Sequence, residues 1–236
     1  MFINLIGMDP STLTGFTFFV VNMALIAAAL FFWMERDNVN PKWKTSLTVS
    51  FLVCFIAAIH YIYMRNAGGT EVVAIRYIDW LITVPLLMVE LYIVLLAVTN
   101  VSAGVFHRLL GFSTLMLVFG YLGEAAGAGN QIGPVTTTIG FAGGMVFWGL
   151  CLRELWSGEA AEANAGSKNA AGQYAYEWLK KIVTFGWIIY PAGYALGYFG
   201  GGVNMDVVNQ VYNLADFVNK ILPGVIVWAA ARMDTK

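Results

Sequence analysis

Apolar residues run through this chain in blocks of about twenty, separated by short polar breaks. Seven blocks are each long enough to cross a bilayer as a helix. They are roughly Thr12–Met34, Leu47–Tyr63, Val72–Val98, Val105–Leu122, Thr136–Leu155, Trp178–Tyr198 and Val207–Ala231. Turn and breaker residues fill the gaps. Asn38-Val-Asn-Pro41 follows the first block, Asn66-Ala-Gly-Gly69 the second, Gly127–Pro134 precedes the fifth, and Gly200-Gly-Gly202 follows the sixth. The longest polar stretch, Ser157–Gln173, is rich in Ala, Gly, Asn and Glu and reads as a mobile surface loop. The expected fold is an all-α membrane protein, a seven-helix bundle forming a single domain over residues 1–236.

Composition agrees. Of 236 residues, 59% are hydrophobic and 11% charged, against about one quarter charged in soluble domains. The net charge of −1 gives no electrostatic case for nucleic acid, and membrane lipid is the expected surrounding. Cys54 and Cys151, both inside apolar blocks, exclude a disulfide framework and a cysteine-based zinc site, and no metal is expected. No basic residue precedes Arg36, so no cleavable signal peptide is expected. Basic residues also set orientation. Arg36, Lys42, Lys44, Arg108, Arg153, Lys168, Lys180, Lys181, Arg232 and Lys236 fall on one side of a seven-helix topology, and Arg65 on the other. The N-terminus is expected outside and the C-terminus in the cytoplasm.

The remaining two basic residues, Arg76 and Lys220, are expected to be intramembrane. An ionised lysine in hydrocarbon costs several kcal/mol, so Lys220 must be paired, neutralised or chemically converted. Asp216 precedes it by one helical turn. One reading is a structural ion pair; the other is a lysine forming a Schiff base with a carbonyl cofactor. The third block adds Arg76, Asp79, Thr83 and Glu90 on nearly one face, with the two carboxylates about 16 Å apart along the axis. Acids at graded depth in a membrane helix often relay protons. Helix–helix hydrogen bonding would explain Thr83 easily and Glu90 poorly, because no cationic partner for Glu90 is evident at that depth. Trp80, Trp187, Tyr190 and Tyr194 could flank a flat apolar ligand or simply pack the core.

The set Arg76, Asp79, Trp80, Thr83, Glu90, Trp187, Tyr190, Pro191, Asp216 and Lys220 resembles a microbial rhodopsin, closest to the proteorhodopsins. Stretches 42–50, 60–65, 76–80, 118–124 and 212–222 carry the same resemblance. It implies all-trans retinal on Lys220 as a protonated Schiff base, Asp79 as primary proton acceptor and Glu90 as cytoplasmic donor. Asp79, Thr83 and Glu90 fill the motif that marks outward proton pumps within the fold. The implied function is a light-driven ion transporter of bacterial-type inner membranes rather than an enzyme. The alternatives are a sensory photoreceptor, against which Glu90 argues, and a seven-helix bundle without retinal, against which Lys220 with its two aspartates argues.

The resemblance further implies that His60 contacts Asp79, that Leu87 tunes the colour to green, and that the chain forms pentamers or hexamers, with Glu35-Arg36-Asp37 as a subunit contact. No transducer is expected. Phe141 stands where carotenoid-binding relatives carry a small residue, so no carotenoid antenna is expected. Around Val208 no second carboxylate marks a proton-release group. Glu124 is expected to be a hydrogen-bonding group near a helix end, and His107 to be solvated.

Overall fold

The computed structural model describes residues 7–67, 70–200 and 205–235, and among these every regular element is helical. The long helices are α1 (Leu13–Glu35), α2 (Lys44–Asn66), α3 (Thr70–Val98), α4 (Ala103–Gly127) and α5 (Thr137–Ser157). After them come a short α6 (Glu159–Gly166), α7 (Ala170–Lys181), α8 (Ile189–Phe199) and α9 (Met205–Met233). A π turn, Ile182–Gly186, joins α7 to α8, so the two form one bent span. Counted that way, seven spans pack into a bundle. Six satisfy length and hydropathy for a membrane crossing, from Leu13–Asn38 to Met205–Met233. The other, α5, is diluted by glycines and by Arg153 and Glu154, but its 21 residues still reach about 32 Å.

Local chemistry sets the helix ends. Thr12, Thr136 and Asn169 turn their side-chain oxygens onto backbone N–H groups of the first turns of α1, α5 and α7, replacing partners the helix cannot supply. Asn40 caps a 3₁₀ turn that begins with Pro41. Between α4 and α5 the backbones nearly touch. A Cβ on Gly140 would lie 2.4 Å from the Gly123 Cα, so only glycine permits this crossing.

The expected loop over Ser157–Gln173 is instead ordered and mostly helical. The Glu154 carboxylate binds Arg108 in two places, at 2.9 and 3.1 Å, and also accepts from the Ala160 N–H that opens α6. Arg108 reaches Glu159 as well, at 2.8 Å. Gln173 donates to the carbonyls of Asn164 and Ser167, closing the connection onto α7. The sixth span consequently starts at Ala170 rather than Trp178. His107 is exposed, as expected. Of the expected breakers, Gly68, Gly69, Gly201 and Gly202 lie outside the described residues.

Two polar clusters tie the bundle at its ends. Where α1 and α9 begin, Gln210 donates to Thr14 and Asn213 to Thr17. At the opposite end the Asp234 carboxylate accepts from Trp43 Nε1, Lys42 Nζ and Asn169 Nδ2, each at 2.7 Å. Glu35 there accepts from Trp228 Nε1, at 2.7 Å, and from Asn38, so this acid is spent within the chain.

Candidate functional site

Lys220 is buried at mid-bundle, and its Nζ donates to two carboxylates, Asp79 of α3 and Asp216 one turn earlier on α9 at 3.2 Å. The expected pairing of Lys220 with both aspartates is thus present. What the sequence did not reveal is how unequal the two anions are.

Asp216 is saturated. Its Oδ1 accepts from Trp80 Nε1 at 3.1 Å and Tyr190 Oη at 2.9 Å. Its Oδ2 accepts from Tyr61 Oη at 2.9 Å and from Lys220, with the Arg76 guanidinium 3.7 Å away. Asp79 takes only Lys220 through Oδ2, and its Oδ1 is buried with no partner. Each Asp216 oxygen already accepts two hydrogen bonds, whereas Asp79 keeps one buried oxygen with room to accept another hydrogen.

Arg76 is held by Asn209 (3.2 Å), Asn213 (3.0 Å) and the Tyr61 hydroxyl (3.4 Å). Neither asparagine nor Tyr61 was singled out from sequence. The signal was there on α9: Asn209, Asn213, Asp216 and Lys220 recur at helical spacing and make one polar face. Thr83 donates to the Asp79 carbonyl at 3.0 Å, fixing the helix turn that carries Asp79 rather than the carboxylate itself. His60 sits beside Asp79 without bonding it. Its Nδ1 is 3.9 Å from Asp79 Oδ1 and engages the Ile56 carbonyl at 2.8 Å. One ring nitrogen cannot donate to both.

Eleven residues past Asp79, Glu90 is fully buried and accepts a hydrogen bond from Ser50 of α2, while its Oε2 has no partner. Ser50 was missed because its partner is 40 residues distant in sequence. Cys54, one turn along α2 from Ser50, turns its thiol to the Lys220 carbonyl at 3.6 Å. Glu90 and the Asp79–Asp216 pair therefore lie on opposite sides of Lys220 along the bundle axis.

A cavity of about 100 Å³ opens beside this centre. Its walls are almost wholly apolar and include Trp80, Trp187, Tyr190, Pro191, Tyr194 and Met116. Trp80 and Tyr190 meet edge to face at 5.0 Å. An apolar cavity whose walls include Trp80 and Tyr190, the two rings that donate to Asp216 beside the buried amine, fits a conjugated aldehyde that condenses with that amine. Phe141 lines the same cavity against Tyr194 and Phe199. Leu87 falls elsewhere, in a second cavity that shares Trp187 with the first. Glu124 lines the main cavity and receives the hydroxyls of Tyr77 (2.9 Å), Tyr198 (3.2 Å) and Tyr212 (3.5 Å), a more connected group than its position suggested.

Known proteins match closely. Residues 12–233 match the family described as bacteriorhodopsin-like protein. The chain is 47% identical over 228 residues to a green-light absorbing proteorhodopsin of Gamma-proteobacterium EBAC31A08, covering 95% of this chain and 88% of that protein. It is 46% identical over 230 residues to a blue-light absorbing proteorhodopsin of Gamma-proteobacterium Hot 75m4, with the same coverage. The crystal structure of a blue light-absorbing proteorhodopsin from Med12 superposes with a TM-score of 0.77 at 42% identity, over 94% of this chain and 98% of that one.

Proposed function

The chain belongs to the bacteriorhodopsin-like family, and on that premise we propose that it is a light-driven pump carrying protons outward across a bacterial-type inner membrane, a transporter rather than an enzyme. It is a multi-pass membrane protein, with exposed side chains such as Phe16, Trp33, Phe55 and Val146 facing lipid. Ten of its thirteen basic residues support a cytoplasmic C-terminus and an external N-terminus.

Lys220 Nζ would hold all-trans retinal as a protonated Schiff base, and the bound group would supply the absorption of light and an isomerisation. The chain's own residues give the proton its direction. The inequality of the two aspartates is the observation that carries the reading. Asp216, locked by Tyr61, Trp80 and Tyr190, is the permanent counter-ion, and Asp79 accepts the proton from Nζ. Arg76 offsets the surplus negative charge and stays fixed. On the proposed topology both aspartates lie outward of Nζ. Glu90, inward of it with one hydrogen bond and no cation against it among the described residues, is neutral at rest and returns a proton to Nζ. A proton leaving Nζ thus meets an anion only outward, and one returning comes from an acid only inward.

A sensory photoreceptor has no need of a buried acid on the inner side. Leu87 lies outside the main cavity, in the second one beside Trp187, and the green-absorber reading rests on the family resemblance. Phe141 closes the cavity wall against Tyr194, which supports a pump without a carotenoid antenna. Family resemblance supports pentamers or hexamers and no transducer. Lys220→Ala tests the reading at its root. Apoprotein given retinal should turn coloured, with a visible band that survives denaturant; the variant should form no such band. A covalently coloured variant would show that another group holds the cofactor.

A further inference from the structure

The bent span α7–α8 carries Trp187 at the junction of both cavities, and its backbone hydrogen bonds reveal how the bend is held. Pro191 has no N–H, so the Trp187 carbonyl loses its ordinary partner four residues on. The Tyr190 N–H takes that carbonyl instead, at 3.1 Å. Tyr190 therefore no longer serves Gly186, and the Trp187 N–H reaches back five residues to Ile182, at 3.2 Å, in a π turn. The carbonyl of Gly186 is left without a donor from its own helix. Asn219 Nδ2, from α9, fills the gap at 2.9 Å.

Asn219 is fully buried, next in sequence to Lys220, and its Oδ1 has no partner. It presses on Gly186 so closely that a Cβ there would lie 2.1 Å from Oδ1. On α9 the proline Pro223, four residues on, deprives the Asn219 carbonyl of its helical N–H in turn. Two weakened turns thus face each other, fastened by one side-chain amide.

What they enclose matters for the proton's return. The second cavity is lined by Leu87, Met88, Leu91, Ile182, Val183 and Pro223 among others and measures about 10 Å³. That is at the lower limit for one water, and apart from Trp187 the lining side chains are aliphatic, thioether or proline groups that bind water poorly. Proton transfer over more than hydrogen-bond reach needs a water chain. The gap on the inner side of Lys220 must therefore widen before Glu90 can serve Nζ.

We infer that Asn219 is a positioning residue for this step: its bond to the Gly186 carbonyl holds the α7–α8 bend closed over the dry inner cavity, and release of that bond admits water between Glu90 and Nζ. The inference rests on Glu90 being the donor. A contact made only in the closed state lowers that state's energy and slows its opening. In flash spectroscopy of retinal-loaded protein, Asn219→Ala should leave the loss of the visible band unchanged. The return of the proton to Nζ should quicken about tenfold, the effect of one buried hydrogen bond. Gly186→Ala, whose methyl displaces the amide, should quicken it similarly, and the double variant should add nothing further. The quickened return should stay independent of medium pH, because Glu90 still supplies the proton.

An unchanged or slower return in both variants would overturn the inference. So would additive effects, or a return rate proportional to proton concentration, which would mark a site merely opened to solvent. If the unaltered protein itself shows no light-driven loss and return of the band, the pump reading fails instead.

Discussion

Replacing Glu90 with glutamine isolates the inward half of the cycle. Glutamine is nearly isosteric, and its amide oxygen can still accept from Ser50. The group that replaces the unpaired Oε2 is an NH₂ with no acceptor waiting for it. Because neutral Glu90 already buries an O–H at this place, stability should fall by less than the about 1–3 kcal/mol that a newly unmade donor costs. Colour and the first proton transfer should not change, because Nζ, Asp79 and Asp216 are untouched. What disappears is the positioned proton. A general acid contributes about 10²–10⁴ in rate, or roughly 3–5 kcal/mol of barrier. The return of the proton to Nζ should therefore slow by that factor and become proportional to proton concentration in the medium. A small permeant acid such as azide should restore it. The assay is flash spectroscopy of the visible band against pH, with and without azide. An unchanged return in the variant would refute the assignment of Glu90, even if pumping stands.

Three further outcomes follow from the same structure. Asp79→Asn removes the only anion with a vacant lone pair beside Nζ, so the visible band should move to longer wavelength and pumping should cease; acidification should produce the same shift in the unaltered protein, and a colour constant into mild acid would exclude Asp79 as counter-ion. Leu87→Gln should shift the band to shorter wavelength, as the proteorhodopsin resemblance implies, and a shift the other way or none would remove Leu87 from colour tuning. Partial burial alone would raise the Asp234 carboxyl, but donation from Lys42, Trp43 and Asn169 outweighs it and holds the group below the ordinary carboxylate value. Its stabilising contribution should be complete above pH of about 4 and fade as pH falls through the lowered value, so thermal unfolding of Asp234→Asn should depend less on acid than that of the unaltered protein.

The site was legible in the sequence where hydrocarbon makes charge expensive. Lys220, Asp216, Asp79 and Glu90 stand out because each needs a reason to lie in an apolar block. Neutral partners carry no such penalty, so Tyr61, Ser50 and Asn209 read as ordinary helix residues until folding brought them to acids and arginine 40 to 155 residues away. His60 was drawn to the right neighbourhood, but the Ile56 carbonyl takes the nitrogen that would face Asp79. The seven spans were legible from block length. Polarity misled over Ser157–Gln173, where alanine-rich helix propensity and the Glu154 carboxylate outweigh it. The bend at Ile182–Gly186 could be anticipated only in part. Pro191 announces a lost hydrogen bond, but which neighbour compensates is a matter of packing.

Direction of transport is the central claim, and light-induced pH change in cells tests it most directly. Cells expressing the chain with retinal, suspended in unbuffered medium, should acidify that medium when illuminated, and a protonophore should abolish the change. Alkalinisation that a protonophore abolishes would mean that protons run inward, and the ordering of Asp79, Lys220 and Glu90 across the membrane would be reversed.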